Sequence, residues 1–272
     1  MKPSYGRVPT YPPSALNVLA HQGPITRRVS DAALMLSTIA APDARDMTAW
    51  NSQAPDFSAA MDGSVRALRV AFSMRLGQSV RLDSDIEAAV HKVARLLEDE
   101  GAIIEEAAPP LGGSDEMIRA MWWPTMTALA DAAGSRRGEM DPGLLGIAER
   151  GRRFTAQDYI AAYNRRAELH AAMLAFHERY DLLLTPTMPL TALEVGLVAP
   201  SDGSYGDDWI NWSPFTYPFN LTQQPAASVP CGLARNGLPI GVQLVAAPRA
   251  DAIVLRVART IEQALPMPRP PQ

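Results

Sequence analysis

The sequence predicts an α/β fold: a mixed β-sheet flanked by helices on both faces. Three observations carry that expectation. Residues 84–100 place Ile86, Val90, Val93, Leu96 and Leu97 on one helical face, Gly101 suits the helix exit, and AIIEEA at 102–107 follows as a strand. Helix, glycine and strand in that order mark an α/β crossover. DLLLTP at 181–186, with three successive leucines, reads as a buried strand stopped by Pro186. Ala226–Val229 and PIGVQLVA at 239–246 then supply two neighbouring strands.

The remaining elements follow along the chain. TRRVSDAALMLSTIA, residues 26–40, carries Val29, Ala32, Ala33, Leu36 and Ile39 as a helical stripe. ALRVAFS at 67–73 reads as a strand. In LGGSDE at 111–116, Ser114 suits the N-cap of a following helix. Residues 155–179 form the longest helical stretch, opened by a capping box between Thr155 and Asp158. Residues 250–264 close the fold as a helix, and a Pro-rich tail, 266–272, is expected to be loose. No linker stands out, so residues 1–272 are expected to form one domain.

Bulk properties exclude several function classes. The net charge of −4 has no basic block behind it, and the Arg-Arg pairs at 27–28, 136–137, 152–153 and 165–166 lie among acids. Nucleic acid is therefore not an expected partner. No uncharged run reaches membrane-span length, and residues 1–30 lack a signal-peptide pattern. The single cysteine forbids an internal disulfide and suits a cytoplasmic location.

PFNLTQQPAASVPCG, residues 218–232, frames the strand Ala226–Val229 with prolines at 218, 225 and 230. Proline fixes φ and donates nothing to a ladder, so it sits at strand ends. The strand is thus entered through a stiff polar corner, Asn220 to Gln224.

That segment, extended as PFNLTQQPAASVPCGLARNGLPIGVQLVA, resembles the closing part of the amidase signature family of serine hydrolases. YDLLLTPTMP at 180–189 is similar to the strand that precedes it there, and KPSYGRVPTYPPSALNVLAHQGPITRRVSDAALML at 2–36 is similar to the stretch after the family's catalytic loops. The three blocks occur in family order. The resemblance implies hydrolysis of small-molecule carboxamides through a serine acyl-enzyme, with no cofactor. It also implies a Ser-Ser-Lys triad carried in and before a Gly/Ser-rich loop that does not occur in this sequence. The expectation is a C-terminal portion of an amidase with no catalytic residue of its own, predicted inactive alone.

By the same resemblance, Trp212, Ser213, Phe215, Thr216 and Asn220 are expected on the substrate-pocket wall. Trp209, Trp212, Phe215 and Tyr217 would give it an apolar lining, with core packing of the rings as the competing reading. Asn220 is expected to bond backbone at the corner. Gly23-Pro24, Arg27 and Asp31 read as scaffold. A second reading is the glutaminase component of a tRNA-dependent amidotransferase, whose relatives place an Asp where this chain has Ser213. A third is a non-catalytic remnant or binding fragment.

Replacement chemistry within the sequence is not expected. Ser114 reads as a cap, and no G-x-S-x-G elbow occurs. Cys231, at a strand end, reads as packing. Lys92 lies on the outer face of its helix and Lys2 in a terminal arm, so neither reads as a base. His170 and His177 share a helical face, but two ligands without a third make no metal site. Glu105-Glu106 and Asp207-Asp208 read as a solvated edge and a solvated loop. An uncovered sheet edge and apolar helix face predict self-association.

Overall fold

In the computed structural model, which describes residues 1–268, five strands form one mixed sheet in the order β2-β1-β3-β5-β4. Helices α1 (Val29–Ile39) and α2 (Phe57–Ala60) precede it. β1 (Arg69–Phe72) connects through α3 (Ser84–Asp99) to β2 (Ile103–Glu106). Three helices follow, α4 (Ser114–Ala132), α5 (Pro142–Gly151) and α6 (Ala156–Arg179), and lead into β3 (Leu182–Pro186). The short α7 (Pro218–Leu221), β4 (Ala226–Leu233), β5 (Pro239–Ala246) and α8 (Asp251–Ala264) complete the chain. β1 runs parallel to β2 and β3, and β5 runs antiparallel to β3 and β4.

The two-residue period of the strands divides the core into two layers. Val70, Leu182, Leu184, Val242 and Leu244 pack with Val90, Val93 and Leu97 of α3 and Val254, Val257 and Ile261 of α8. Ala71, Leu183 and Val245 face the opposite layer, against Met117 and Met121 of α4, Leu169 and Met173 of α6, and Phe215 and Phe219. β3 is buried at all five positions, as a central strand covered on both sides requires.

Most boundaries agree with the sequence reading, and two differ for clear reasons. β4 runs on to Leu233, past Pro230, with a bulge between Pro230 and Gly232. Pro230 is tolerated because β4 is an edge strand. Lys2 and Ala226 exchange two backbone hydrogen bonds, of 2.7 and 2.8 Å, on its outer side. By alternation Ser228 and Pro230 are the next outward-facing residues, where a missing N–H costs no ladder bond. The second difference is Ser114, which is not an N-cap. Gly113 occupies that position at φ 74° without any side-chain cap, and Ser114 is the first helical residue, buried.

The capping box is as expected: Thr155 Oγ1 accepts from Asp158 N at 3.1 Å while Asp158 Oδ2 accepts from Thr155 N at 2.7 Å. The expected Pro-rich tail lies in part outside the described residues, since 269–272 are not described.

The amino-terminal arm is tied to the far end of the chain. Asp251, with no exposed surface, accepts from Ser4 N at 2.8 Å and Ser4 Oγ at 2.9 Å, and faces Arg7 Nε at 3.8 Å. The Arg7 guanidinium lies over the Trp50 ring at 4.1 Å, and Arg249 over the same ring at 4.6 Å.

Candidate functional site: a substrate-pocket wall

The segment 208–217 crosses the sheet on the α4 and α6 side. It opens with Asp208, whose carboxylate accepts from Ile210 N at 3.1 Å and from Arg119 Nε at 2.9 Å. Arg119, on α4, also reaches Asp115 Oδ2 at 2.9 Å and Asn211 Oδ1 at 2.6 Å. One guanidinium therefore fixes both ends of the 3₁₀ turn Trp209–Trp212. This corrects the reading of Asp207-Asp208 as solvated loop. Asp207 is 84% exposed and pairs with Arg150, but Asp208 is only 11% exposed and is an anchor.

Glu105 is corrected in the same way. It accepts from Arg69 at 3.1 Å, Arg179 at 2.7 Å and the Tyr180 hydroxyl at 3.2 Å, and so staples β2 to β1 and α6.

The five residues expected on the wall divide into three groups. Trp212, half-buried, donates its indole N–H to Val198 O at 2.9 Å, and Thr216 donates to Ser213 O at 3.1 Å; both keep surface. Ser213 is 3% exposed and spends its hydroxyl on Trp209 O at 3.0 Å. Phe215 is fully buried in the core, and its carbonyl accepts from Gln243 Nε2 at 2.6 Å. Residues 212–216 thus form one turn, and Asn220 stands apart on α7, donating to Leu19 O at 2.9 Å. Of the rings, Tyr217 joins Phe215 in the core, where burial above all pushes its hydroxyl up to about 12. Trp209 sits edge-on to Trp122 at 5.0 Å.

Beneath the turn lies a polar row that the sequence reading missed. Thr185 of β3, Gln243 of β5 and Ser228 of β4 are register partners across three strands. Gln243 holds Phe215, Thr185 Oγ1 is buried without a partner, and Thr187 Oγ1 meets Ser228 Oγ at 2.8 Å. Gly241 makes room for that last pair, since a Cβ there would lie 2.7 Å from Ser228 Oγ. Only knowledge of the strand register aligns these hydroxyl and amide positions on one face.

The polar corner serves internal bonds. Lys2 Nζ donates to Gln224 O, Tyr5 N to Gln223 O at 3.2 Å, and Gln223 Nε2 to Val18 O at 3.4 Å. Thr222 Oγ1 donates to Gln224 Oε1 at 2.6 Å, and Gln224 Nε2 to Ala246 O at 3.3 Å. From α6, Arg166 reaches Leu221 O at 3.4 Å and His170 Nδ1 meets Thr222 O at 2.8 Å. Gln223 is held at φ 63°, a left-handed conformation that these bonds offset.

The other candidates have structural partners. Cys231 is buried with Sγ 3.6 Å from Ile240 O, and burial raises its thiol to about 11, away from thiolate chemistry. Desolvation lowers the Lys2 amine to about 7, against the pull of Asp251, and its hydrogen bond goes to a carbonyl. His177 Nδ1 bonds Tyr180 O at 2.9 Å. Among the described residues there is no group of three or more metal-ligating side chains, and no helix is long and apolar enough to cross a membrane.

The mixed sheet, its two helical layers and its order of elements are those of the amidase signature enzymes. A bacterial aryl acylamidase structure of that family superposes with a TM-score of 0.85 at 26% identity, covering 98% of this chain and 58% of that one. The Amidase family model matches residues 1–255, and the chain belongs to that family. It is 34% identical over 273 residues to an acylamidase of Rhodococcus erythropolis, covering 98% of this chain and 57% of the relative. It is 31% identical over 299 residues to a glutamyl-tRNA(Gln) amidotransferase subunit of Synechococcus sp. (strain CC9902), covering 97% of this chain and 58% of the relative. The chain therefore spans less than three fifths of these curated relatives.

Proposed function

We propose that residues 1–272 carry the substrate-pocket wall of an amidase that hydrolyses aryl or alkyl carboxamides through a serine acyl-enzyme, the nucleophile lying outside these residues. The observation that carries this reading is the turn 209–216, anchored by Arg119 on one side and Gln243 beneath, with Trp212 and Thr216 left at the surface. An acyl-transfer site needs such a fixed wall to hold substrate against the nucleophile.

A glutaminase reading draws support from the amidotransferase subunits among the relatives. Against it stands Ser213, a buried neutral hydroxyl already donated to Trp209 O. An unpaired ammonium taken out of water costs several kcal/mol. In a version of the chain extended upstream through a Gly/Ser-rich loop, kcat/KM for glutamine should fall at least about a hundredfold below that for an apolar amide. Steady-state kinetics on the two substrates decides this, and a preference for glutamine would reverse the assignment.

Assembly is part of the same proposal. On β4 Ser228 remains open for strand pairing, and Ile160, Tyr163 and Leu174 stay exposed along α6. Open edges and apolar stripes favour association. Residues 1–272 should elute from size exclusion above monomer size, and Ser228→Pro should shift the profile towards monomer. A monodisperse monomer with cooperative melting would count against it.

A further inference from the structure

A groove of about 370 Å³ opens between α4 and α6, away from the polar row and the open strand. Its floor is apolar, formed by Met117, Ala120, Phe154 and Ala162. Five charged side chains surround it: Glu116, Arg119, Arg153, Asp158 and Arg165. Arg119 is engaged by Asp115, Asp208 and Asn211, and Asp158 is bonded in the capping box. Glu116 is exposed on the rim.

Arg153 and Arg165 differ from these, since neither has a carboxylate or carbonyl partner among the described residues. Arg153 is nevertheless positioned, lying 5.1 Å from the Trp123 ring centroid and 4.9 Å from that of Phe154. A guanidinium stacked by its face presents its N–H edge. Arg165 closes over Gly113 at the start of α4. A Cβ at residue 113 would lie 2.7 Å from its Nη2, a contact the flexible guanidinium could relieve, while the φ of 74° favours glycine there.

We propose that this groove binds an organic monocarboxylate with an aryl or alkyl body. The carboxylate engages the N–H edges of Arg153 and Arg165, and the body covers Met117, Ala120 and Phe154. Planar guanidinium forks match a carboxylate, and the apolar floor demands a tail that an inorganic anion lacks. Arg119, Arg153 and Arg165 against Glu116 and Asp158 leave one net positive charge among the five, which a monoanion balances. Because Arg119 both lines the groove and anchors the turn 209–212, an occupant also bears on the wall. The inference does not depend on the hydrolytic reading, although a carboxylic acid is what amide hydrolysis releases.

The test is calorimetric titration of residues 1–272 with 4-phenylbutyrate, using 4-phenylbutyramide as the neutral counterpart. Saturable binding of the acid is expected, at least about tenfold tighter than the amide. Arg153→Met and Arg165→Met should each weaken it by about tenfold or more, while Arg137→Met, outside the groove, should not. Both groove arginines are exposed, and circular dichroism verifies that the variants stay folded. Equal affinity for acid and amide, unchanged affinity in both groove variants, or no saturation up to about 10 mM would each overturn the proposal.

Discussion

Residues 1–272 alone are expected to remain unlabelled by a fluorophosphonate probe and to show no amide hydrolysis. Acyl transfer needs a nucleophile with a base in reach and fixed donors around the developing oxyanion. The alternatives within the chain are otherwise committed. Ser114 is buried at a helix start, the Cys231 thiol is pushed up to about 11, and the Lys2 amine bonds Gln224 O. Loss of one triad member costs about four powers of ten or more in rate, so a chain without any of the set would show nothing above background. An upstream extension carrying a Gly/Ser-rich loop should restore labelling at one serine. Stoichiometric labelling of the short chain would locate a complete active site within it. Failure of the extended form to label would favour a non-catalytic remnant.

Asp251→Ala should be the most destabilising single substitution near the amino terminus, by about 3–5 kcal/mol, because a buried ionic partner is removed and its donors stay behind. Ser4 would lose acceptors for its N–H and its hydroxyl, and Arg7 would keep a buried guanidinium without its counter-charge. Asp251→Asn, which preserves one acceptor, should cost less. Urea midpoints of the three proteins measure this, and a shift of the Ala variant worth under about 1 kcal/mol would show the network to be incidental.

The contrast between what could and could not be read from the sequence is physical. Strands such as Leu182–Pro186 announce themselves by local composition, and the Thr155 capping box by a three-residue spacing. The extent of α4 does not announce itself, because Pro124 lies inside it, where a proline normally ends a helix. The helical bond that Pro124 cannot donate is the one to Ala120 O, and α4 nevertheless runs on to Ala132. In the turn 209–216, the direction of each side chain is not legible in the local sequence. Phe215 turns into the core while Gln243, distant in sequence, holds its carbonyl. Asp208 and Glu105 looked like solvent-facing acids because their arginine partners lie far away along the chain.

The closure of the amino-terminal arm has a consequence for biosynthesis. Lys2 pairs with Ala226 and Ser4 with Asp251, so the arm leaves the ribosome long before the residues that receive it. At about 5–20 residues per second, roughly 10–50 s separate the two events. During that interval Lys2 and Ser4 lack the partners they have in the folded chain, and β4 has not yet been made. Slowing translation between residues 30 and 220 should therefore prolong protease sensitivity of the nascent arm, while the helical middle, rich in local contacts, settles early.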